Sequence, residues 1–319
     1  MITWILLIIL GFVLLIKGAD FLVDGASNFA KKFHIPEIII GLTIVSIGTS
    51  LPELIVSTTS AIDGYSDLAV GNIVGSNIAN LLLILGLSTI IKAVSFKRET
   101  RLIEIPICLA VSIIFMILAN LGQDITRTDA AILVVLFVAF IIYTIVMGVK
   151  GEKFEKEEKE VEEAENKKNE STIKNIIYII LGIVLLKIGG DLTVDNAVNI
   201  ANFFNLSEKL IAVTILAIGT SLPELVTSVS AAIKGKSDIA IGNILGSNIF
   251  NMLLIIGTAA LIKPIMYNVN YNIDMIFVLI GTLILALFPI IPPKNKMTRG
   301  NGIVYVILYI VYLITLFVK

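Results

Sequence analysis

The chain has 319 residues, of which 57% are hydrophobic and 15% charged, with a net charge of −1. Soluble domains carry about 25% charged residues, so the composition excludes an ordinary soluble protein, and the absence of a basic excess gives no sign of nucleic-acid binding. The single cysteine, Cys108, excludes an internal disulfide and a cysteine-based metal site.

Membrane-crossing helices need about 20 apolar residues, and ten segments meet this requirement. The first lacks a basic leader and a small-residue cleavage site, so we expect it to be retained. The sequence therefore predicts an all-α integral membrane protein with ten transmembrane helices, at about 3–28, 37–62, 68–92, 102–121, 129–149, 173–199, 209–233, 239–262, 272–291 and 301–318.

One long polar stretch, residues 150–172, interrupts the apolar pattern. Its dense charges of both signs indicate a solvated linker rather than a span. We therefore expect an N-terminal unit of five helices at 1–149, the linker at 150–172, and a C-terminal unit of five helices at 173–319.

Lysine and arginine are distributed unevenly over the predicted loops. The loops opposite the termini carry 18 of them and the loops on the terminal side carry 4. Because cytoplasmic loops are enriched in Lys and Arg, we expect both termini outside and the 150–172 linker in the cytoplasm.

The two halves of the sequence repeat each other at an offset of 171 residues. Residues 41–92 match residues 212–263 without a gap, with 31 identities in 52 positions. Since five spans is an odd number, the second copy enters the membrane with the opposite orientation. Inverted repeats are typical of transporters, whose substrate site lies at the midplane between the halves. Duplication that builds only a scaffold is the alternative, but the identities concentrate on polar residues and helix breakers.

The sequence IGTSLPEL occurs at 47–54 and again at 218–225. A proline inside a helix leaves the carbonyl four residues earlier unpaired, so we expect Pro52 to free that of Gly48 and Pro223 that of Gly219. Spacings of three and four place a glutamate and two hydroxyls on one face of each helix, namely Thr49, Ser50 and Glu53, and Thr220, Ser221 and Glu224.

A second repeated stretch adds further oxygen atoms. Ser76 and Asn80 share one helix face, as do Ser247 and Asn251, whereas Asn77 and Asn248 are rotated by one position. Glycine pairs four residues apart in the same stretches favour close helix packing. The serines could bind an ion or could bond within their own helices.

The two glutamates lie in apolar spans, where acidic residues usually mark an ion or proton pathway. Two adjacent carboxylates remain ionised only if a cation lies between them; a structural pair sharing a proton is the alternative. Ligands that are all oxygen suit Ca²⁺ and Na⁺, and Mg²⁺ less well. One Ca²⁺ or two Na⁺ would neutralise the site, which predicts competition between these ions.

The paired GTSLPEL, GNIVGSNIAN and GNILGSNIFN motifs resemble the repeats of the calcium/cation antiporter superfamily, in its prokaryotic sodium/calcium exchanger branch. The resemblance implies antiport of Ca²⁺ and Na⁺ without a cofactor, with the first and sixth helices sliding as gates. It implies ion ligands at Glu53 and Glu224, backbone carbonyls of Thr49 and Thr220, flanking Na⁺ sites at Ser50, Ser221, Ser76 and Ser247 with carbonyls near Ser46 and Ala217, and a middle site at Asn80 and Asn251.

One residue departs from some potassium-dependent relatives, which have aspartate where this chain has Asn251. Asparagine leaves Ca²⁺/Na⁺ exchange feasible, but potassium co-transport is not expected. The repeated acids Asp20, Asp24, Asp191 and Asp195 could line ion vestibules, and we favour helix-end solvation for them.

Three rival functions remain open at this point. An antiporter that couples Ca²⁺ or another divalent ion to H⁺ is the nearest, although the hydroxyl-rich motifs favour Na⁺. A cation channel is less consistent with one buried acidic centre between repeats. An enzyme is the least consistent, because no nucleophile motif or phosphate loop accompanies the carboxylates.

Overall fold

The structure is a computed structural model that describes residues 1–159, 171–204, 217–290 and 295–318. Twelve helices lie within these residues: α1 Ile2–Lys32, α2 Glu37–Thr49, α3 Leu51–Asp63, α4 Ser66–Ile91, α5 Thr100–Leu121, α6 Arg127–Lys159, α7 Thr172–Phe203, α8 Ala217–Thr220, α9 Leu222–Ile233, α10 Ser237–Ile262, α11 Tyr271–Leu287 and α12 Arg299–Val318. Short π-helical segments occur inside α2, α4, α5 and α10.

The chain is an all-α, multi-pass membrane protein, as its composition predicts. Seven of the described helices are long and apolar enough to cross a membrane, and α2 with α3 forms an eighth candidate that is bent by 51°. Two shorter apolar helices, α9 with 12 residues and α11 with 17, lie within the two remaining predicted spans, 209–233 and 272–291. The first part of the predicted 209–233 span lies outside the described residues.

The helix α6 continues to Lys159, beyond the predicted beginning of the linker at residue 150. A charged sequence can extend a helix into water once an apolar span has nucleated it. Residues 160–170 of the predicted linker lie outside the described residues.

The long helices α1 and α7 pack against each other in antiparallel orientation. Gly11 lies opposite Gly189, Gly18 opposite Gly182, and Gly25 opposite Asn175. A Cβ atom on Gly18 would come within 2.9 Å of the Gly182 carbonyl oxygen, so this close approach requires glycine. Small residues at the interface are how membrane helices gain packing energy where the solvent is itself apolar.

The centre of the molecule consists of α4 and α10, whose most apolar windows are 78% and 94% buried. In α10, Gly242 and Gly246 lie against the backbone of α2, where added Cβ atoms would each meet a carbonyl oxygen at 2.7 Å. The predicted packing role of the repeated glycines is confirmed at these two positions. The close contact brings the polar stretch of α10 against the bend between α2 and α3.

Two short β-ladders join the ends of the helices. Strand β1 (Val94–Ser95) pairs antiparallel with β4 (Lys296–Met297), and β2 (Asp124–Ile125) pairs with β3 (Ile265–Met266). At an offset of 171 residues β1 corresponds to β3, so each ladder joins one half of the chain to the other.

Candidate functional site

The bend between α2 and α3 falls at Ser50, which has φ −86° and ψ 11°. Pro52 is the second residue of α3, where its missing N–H group is not needed for helix bonding. The bend expected at this proline is present, at 51°, and the helix ends before the proline and restarts at Leu51. Ser221, with φ −87° and ψ 5°, makes the same break before α9.

The glycines before these breaks serve helix packing. An added Cβ on Gly48 would lie 2.7 Å from Ile183 of α7, and one on Gly219 would meet Val194 of the same helix. Both breaks thus pack against α7. Glu53 follows in the first turn of α3, and Glu224 in the first turn of α9.

Both glutamates are completely buried, with 0% of their surface exposed. The hydroxyl of Ser50 donates to Oε1 of Glu224 at 2.8 Å, and the hydroxyl of Ser247 lies 3.5 Å from the same oxygen. Ser50 and Ser247 are themselves 3.0 Å apart. The Glu224 carboxylate is therefore held by one serine from each half of the chain.

Glu53 has the corresponding surroundings. Its Oε1 accepts from the hydroxyl of Ser76 at 3.2 Å and from that of Ser221 at 3.5 Å, and the two serine oxygens are 3.1 Å apart. The structure thus brings both glutamates and all four predicted serines into two matching clusters, each built from both halves.

The threonines meet a pair of asparagines that the sequence analysis missed. The Thr49 hydroxyl donates to Oδ1 of Asn243 at 3.0 Å, and that of Thr220 to Oδ1 of Asn72 at 3.3 Å. The sequence signal that could have identified these asparagines was the Gly-Asn pair with which both GSN-containing stretches begin. Ser46 is buried, and its carbonyl oxygen lies 3.3 Å from the Thr49 hydroxyl. Ala217 begins α8, and its side chain lies outside the described part of the structure.

Asn80 and Asn251 lie in the π-helical segments of α4 and α10, at Ala79–Ile84 and Asn251–Ile255. Segments of this kind frequently occur at functional sites. Both side chains are fully buried and hydrogen-bond across the boundary between the halves.

Four oxygen atoms at this site have no hydrogen-bond partner within the described residues: Oε2 of Glu53, Oε2 of Glu224, Oδ1 of Asn80 and Oδ1 of Asn251. They form two pairs related by the repeat. Buried polar atoms are usually satisfied, so these four acceptors are available to a positively charged ligand. No described group of three or more His, Cys, Asp or Glu residues accompanies them.

The repeated aspartates lie outside this cluster. Asp20 and Asp24 both contact Lys234 Nζ, at 3.0 and 2.8 Å, and Asp191 pairs with Lys187 of its own helix. Asp195 is exposed. Two of these acids therefore tie α1 to the end of α9, which neither expectation from sequence had anticipated.

Comparisons with known proteins match nearly the whole chain. The pattern of the family described as "Sodium/calcium exchanger protein" matches residues 3–146 and 174–318. The chain is 37% identical over 316 residues to the "Putative antiporter CaxA" of Alkalimonas amylolytica, covering 97% of each chain. It is 30% identical over 344 residues to the "Sodium/calcium exchanger MaX1" of Methanosarcina acetivorans, covering 98% of each.

A solved structure of the sodium-calcium exchanger NCX_Mj, soaked with 2.5 mM Na⁺ and 0.1 mM Ca²⁺, superimposes with a TM-score of 0.85 at 29% identity and covers 99% of both chains. Similarity of sequence and of fold thus extends over both halves and the site between them. The chain belongs to the sodium/calcium exchanger family, in the prokaryotic branch of the calcium/cation antiporter superfamily.

Proposed function

We propose that this chain is a secondary antiporter that exchanges Ca²⁺ for Na⁺ by alternating access at the site around Glu53 and Glu224. The observation that carries the proposal is the set of four buried, unpaired oxygens on Glu53, Glu224, Asn80 and Asn251. Carboxylate and amide oxygens are ligands for hard cations, and Ca²⁺ accepts six to eight of them at variable geometry. The named relative MaX1 and the NCX_Mj structure are consistent with these ions.

Charge explains why the two ions exchange rather than bind together. Two ionised glutamates give the site a charge of −2, which one Ca²⁺ or two Na⁺ would neutralise. Occupation by both would leave excess positive charge in a buried, low-dielectric site, where uncompensated charge is costly. Ser50, Ser76, Ser221 and Ser247 contact the carboxylates and offer oxygens to Na⁺ that carry no titratable proton.

Ten spans in two inverted repeats are part of the proposal, and the β-ladders support them. Paired strands must lie on the same side of a membrane. The pairing of β1 with β4 and of β2 with β3 requires α11 to cross the membrane if α5 does. Because β2 and β3 lie on the same side, the chain between them must cross the membrane an even number of times. The helices α6, α7 and α10 supply three crossings, so the segment that ends in α9 supplies the fourth.

The bent helix also counts as one crossing. Lys236 beside the beginning of α10 pairs with Glu37 at 3.0 Å, and Lys263 beyond its end donates to the Ile62 carbonyl at 3.2 Å. Since α10 crosses the membrane between these contacts, α2 with α3 does too. We assign residues 1–149 and 173–319 to the two repeats and place the 150–172 linker in the cytoplasm and both termini outside.

The site is enclosed unequally towards the two faces of the membrane. Thr49 and Asn243 are completely buried, whereas their repeat equivalents Thr220 and Asn72 are only partly buried. Repeat-related residues lie at mirrored depths, so this difference supports access from the side of Thr220. By the assigned orientation that side is the outside, and alternating access would interchange the two environments.

Calcium uptake into proteoliposomes tests the proposal. We expect an outward Na⁺ gradient at fixed pH to drive Ca²⁺ in, and an equal K⁺ gradient to drive none. Uptake that follows a pH gradient and ignores Na⁺ would replace Na⁺ coupling with H⁺ coupling. Single-channel currents in planar bilayers would refute antiport altogether.

A further inference from the structure

Two further asparagines, Asn77 and Asn248, lie where α4 and α10 meet. The side-chain nitrogen of each donates to the backbone carbonyl oxygen of the other, both at 3.3 Å. Both residues are almost completely buried. A backbone carbonyl can only accept a hydrogen bond, so the NH₂ end of each amide must face its partner. This reciprocal pair fixes the orientation of both amide groups.

The fixed amides in turn determine how Asn80 and Asn251 are turned. Oδ1 of Asn77 accepts from Nδ2 of Asn251 at 2.9 Å, and Oδ1 of Asn248 accepts from Nδ2 of Asn80 at 3.1 Å. An amide oxygen offers no proton, so each facing group must present its nitrogen. The nitrogens of Asn80 and Asn251 are thereby occupied, and their oxygens are the ones left unpaired.

We propose that Asn77 and Asn248 are positioning residues that hold Asn80 and Asn251 with their side-chain oxygens available to the transported cation. The inference rests on the proposed function, because it assigns the unpaired oxygens to a cation. Without Asn77, the Asn251 side chain could turn by 180° about its last torsion and present NH₂ at the same place. Hydrogen atoms bearing positive partial charge would then repel a cation.

Asn251 lies close enough to the glutamate cluster for such a turn to affect ion binding. Nδ2 of Asn251 also lies 3.4 Å from the Ser76 hydroxyl, which donates to Glu53. Asn251 is thus connected to the Glu53 carboxylate through two hydrogen bonds. The first joins opposite halves of the protein and the second joins adjacent spans. Removing residues that orient ion ligands typically costs about 10- to 100-fold in affinity.

A double-mutant experiment separates this role from a general structural one. Asn77→Ala should weaken Ca²⁺ binding by roughly tenfold, measured by calorimetry on the purified full-length chain. Asn251→Asp presents an oxygen whichever way the group turns, so adding Asn77→Ala to that variant should cost little further affinity. An equal loss in both backgrounds would show that Asn77 does not act through Asn251 and would overturn the proposal.

The Asn248→Ala change, tested with and without Asn80→Asp, repeats the experiment independently and must give the same pattern. If Asn77→Ala does not yield folded protein, the Asn248 cycle decides the question, and a loss from Asn248→Ala that is equal with and without Asn80→Asp would refute the inference.

The parent chain distinguishes this inference from the proposed function. If the parent chain binds no Ca²⁺, the proposed function fails, and with it the inference that rests on it. If the parent binds and Glu53→Gln abolishes binding while the Asn77 cycle shows no coupling, only the positioning role fails.

Discussion

At the scale of single residues, the site is built from two acids that apolar surroundings would not tolerate without compensation. Placing an ionised carboxylate in the middle of a span costs about 2.5–3.5 kcal/mol on insertion scales. Serine hydroxyls from both halves offset part of this cost at Oε1 of each glutamate. Oε2 of each glutamate has no partner among the described residues, and a bound cation, as proposed above, or a shared proton would supply one.

Replacing either glutamate with glutamine removes the negative charge and keeps the shape of the side chain, so it tests the contribution of the charge alone. We expect Glu53→Gln and Glu224→Gln each to reduce Ca²⁺ transport by at least about 100-fold, because loss of a buried partner charge costs about 3–5 kcal/mol. Radiolabelled Ca²⁺ uptake into proteoliposomes measures this. Preserved transport in either variant would show that the carboxylate is not a ligand.

Glu104 provides a matched control for this pair. It is also a buried carboxyl in a predicted span, 4% exposed, whose Oε2 has no partner among the described residues, and none of the hydrogen bonds within those residues joins it to the site. We expect Glu104→Gln to retain transport within about twofold. A loss as large as that of Glu53→Gln would mean that any buried carboxyl is needed for folding, and the residue-scale interpretation would fail.

At the scale of helices, the two breaks are covered by one element, α7. Gly48 packs on the side chain of Ile183, and an added methyl group would lie 2.7 Å from its Cγ1 and Cδ1 atoms, so the Ile183 side chain would have to move against its neighbours. We expect Gly48→Ala to slow transport several-fold while leaving the Ca²⁺ ligands in place, because overpacking of this kind costs about 1–3 kcal/mol.

Gly190, in α7 itself, provides the control. Its added Cβ would lie 3.8 Å from Pro223, an ordinary contact distance, so Gly190→Ala should transport normally. Initial rates at saturating Ca²⁺, together with binding affinity, distinguish slowed movement from lost binding. Equal rates for Gly48→Ala and the parent chain would show that α7 need not stay close to the break.

The ion pairs of α1 are asymmetric between the repeats. Lys234 contacts Asp20 and Asp24, and the residue 171 positions earlier is Asp63, an acid. The equivalents Asp191 and Asp195 in α7 therefore face no repeated lysine. One end of the molecule has a link between α1 and α9 for which the repeat provides no equivalent at the other end.

Lys234→Met should weaken that link by a modest amount, since exposed ion pairs contribute about 0–1 kcal/mol. Hydrogen–deuterium exchange should then become up to about fivefold faster in the second half of α1. Lys187→Met removes a pair that lies within a single helix and should leave α1 unchanged. Identical exchange in the two variants would contradict a link between helices.

Sequence periodicity predicted the apolar helices and the repeated motifs, since both depend on spacing along one chain segment. It predicted the bend at Pro52, but not that the helix would end at Thr49 and restart at Leu51, because a first-turn proline and a kinking proline share the same local pattern. Spacing along α4 also showed that Asn77 is rotated away from the face that carries Ser76. It did not show that α10 packs against the face on which Asn77 lies. Contacts such as that of Ser50 with Glu224 join residues 174 positions apart, and no local pattern encodes them.

At the scale of the whole molecule, the proposed pseudo-two-fold arrangement would relate two halves whose environments differ. The same motif is fully buried at Thr49 and partly buried at Thr220. If the alternating access proposed above holds, an identical motif in two different surroundings would let either half adopt the other's state at similar energy. Such near-degeneracy is what alternating access requires, since the populations then respond to small differences in ion binding.

The direction of the whole molecule in the membrane is the last prediction, and it follows from charge. The loops that we place in the cytoplasm carry 18 Lys and Arg residues against 4 on the other side, and this bias orients membrane proteins during insertion.

Ser95, in β1, and Asn268, just after β3, are both exposed and lie on opposite faces by the proposed topology. The buried Cys108 can be changed to Ala so that each introduced cysteine is unique. A membrane-impermeant thiol reagent should label Asn268→Cys in intact cells and Ser95→Cys only after permeabilisation. The reverse pattern would invert the orientation, and labelling of both in intact cells would contradict the parity of crossings on which the ten-span topology rests.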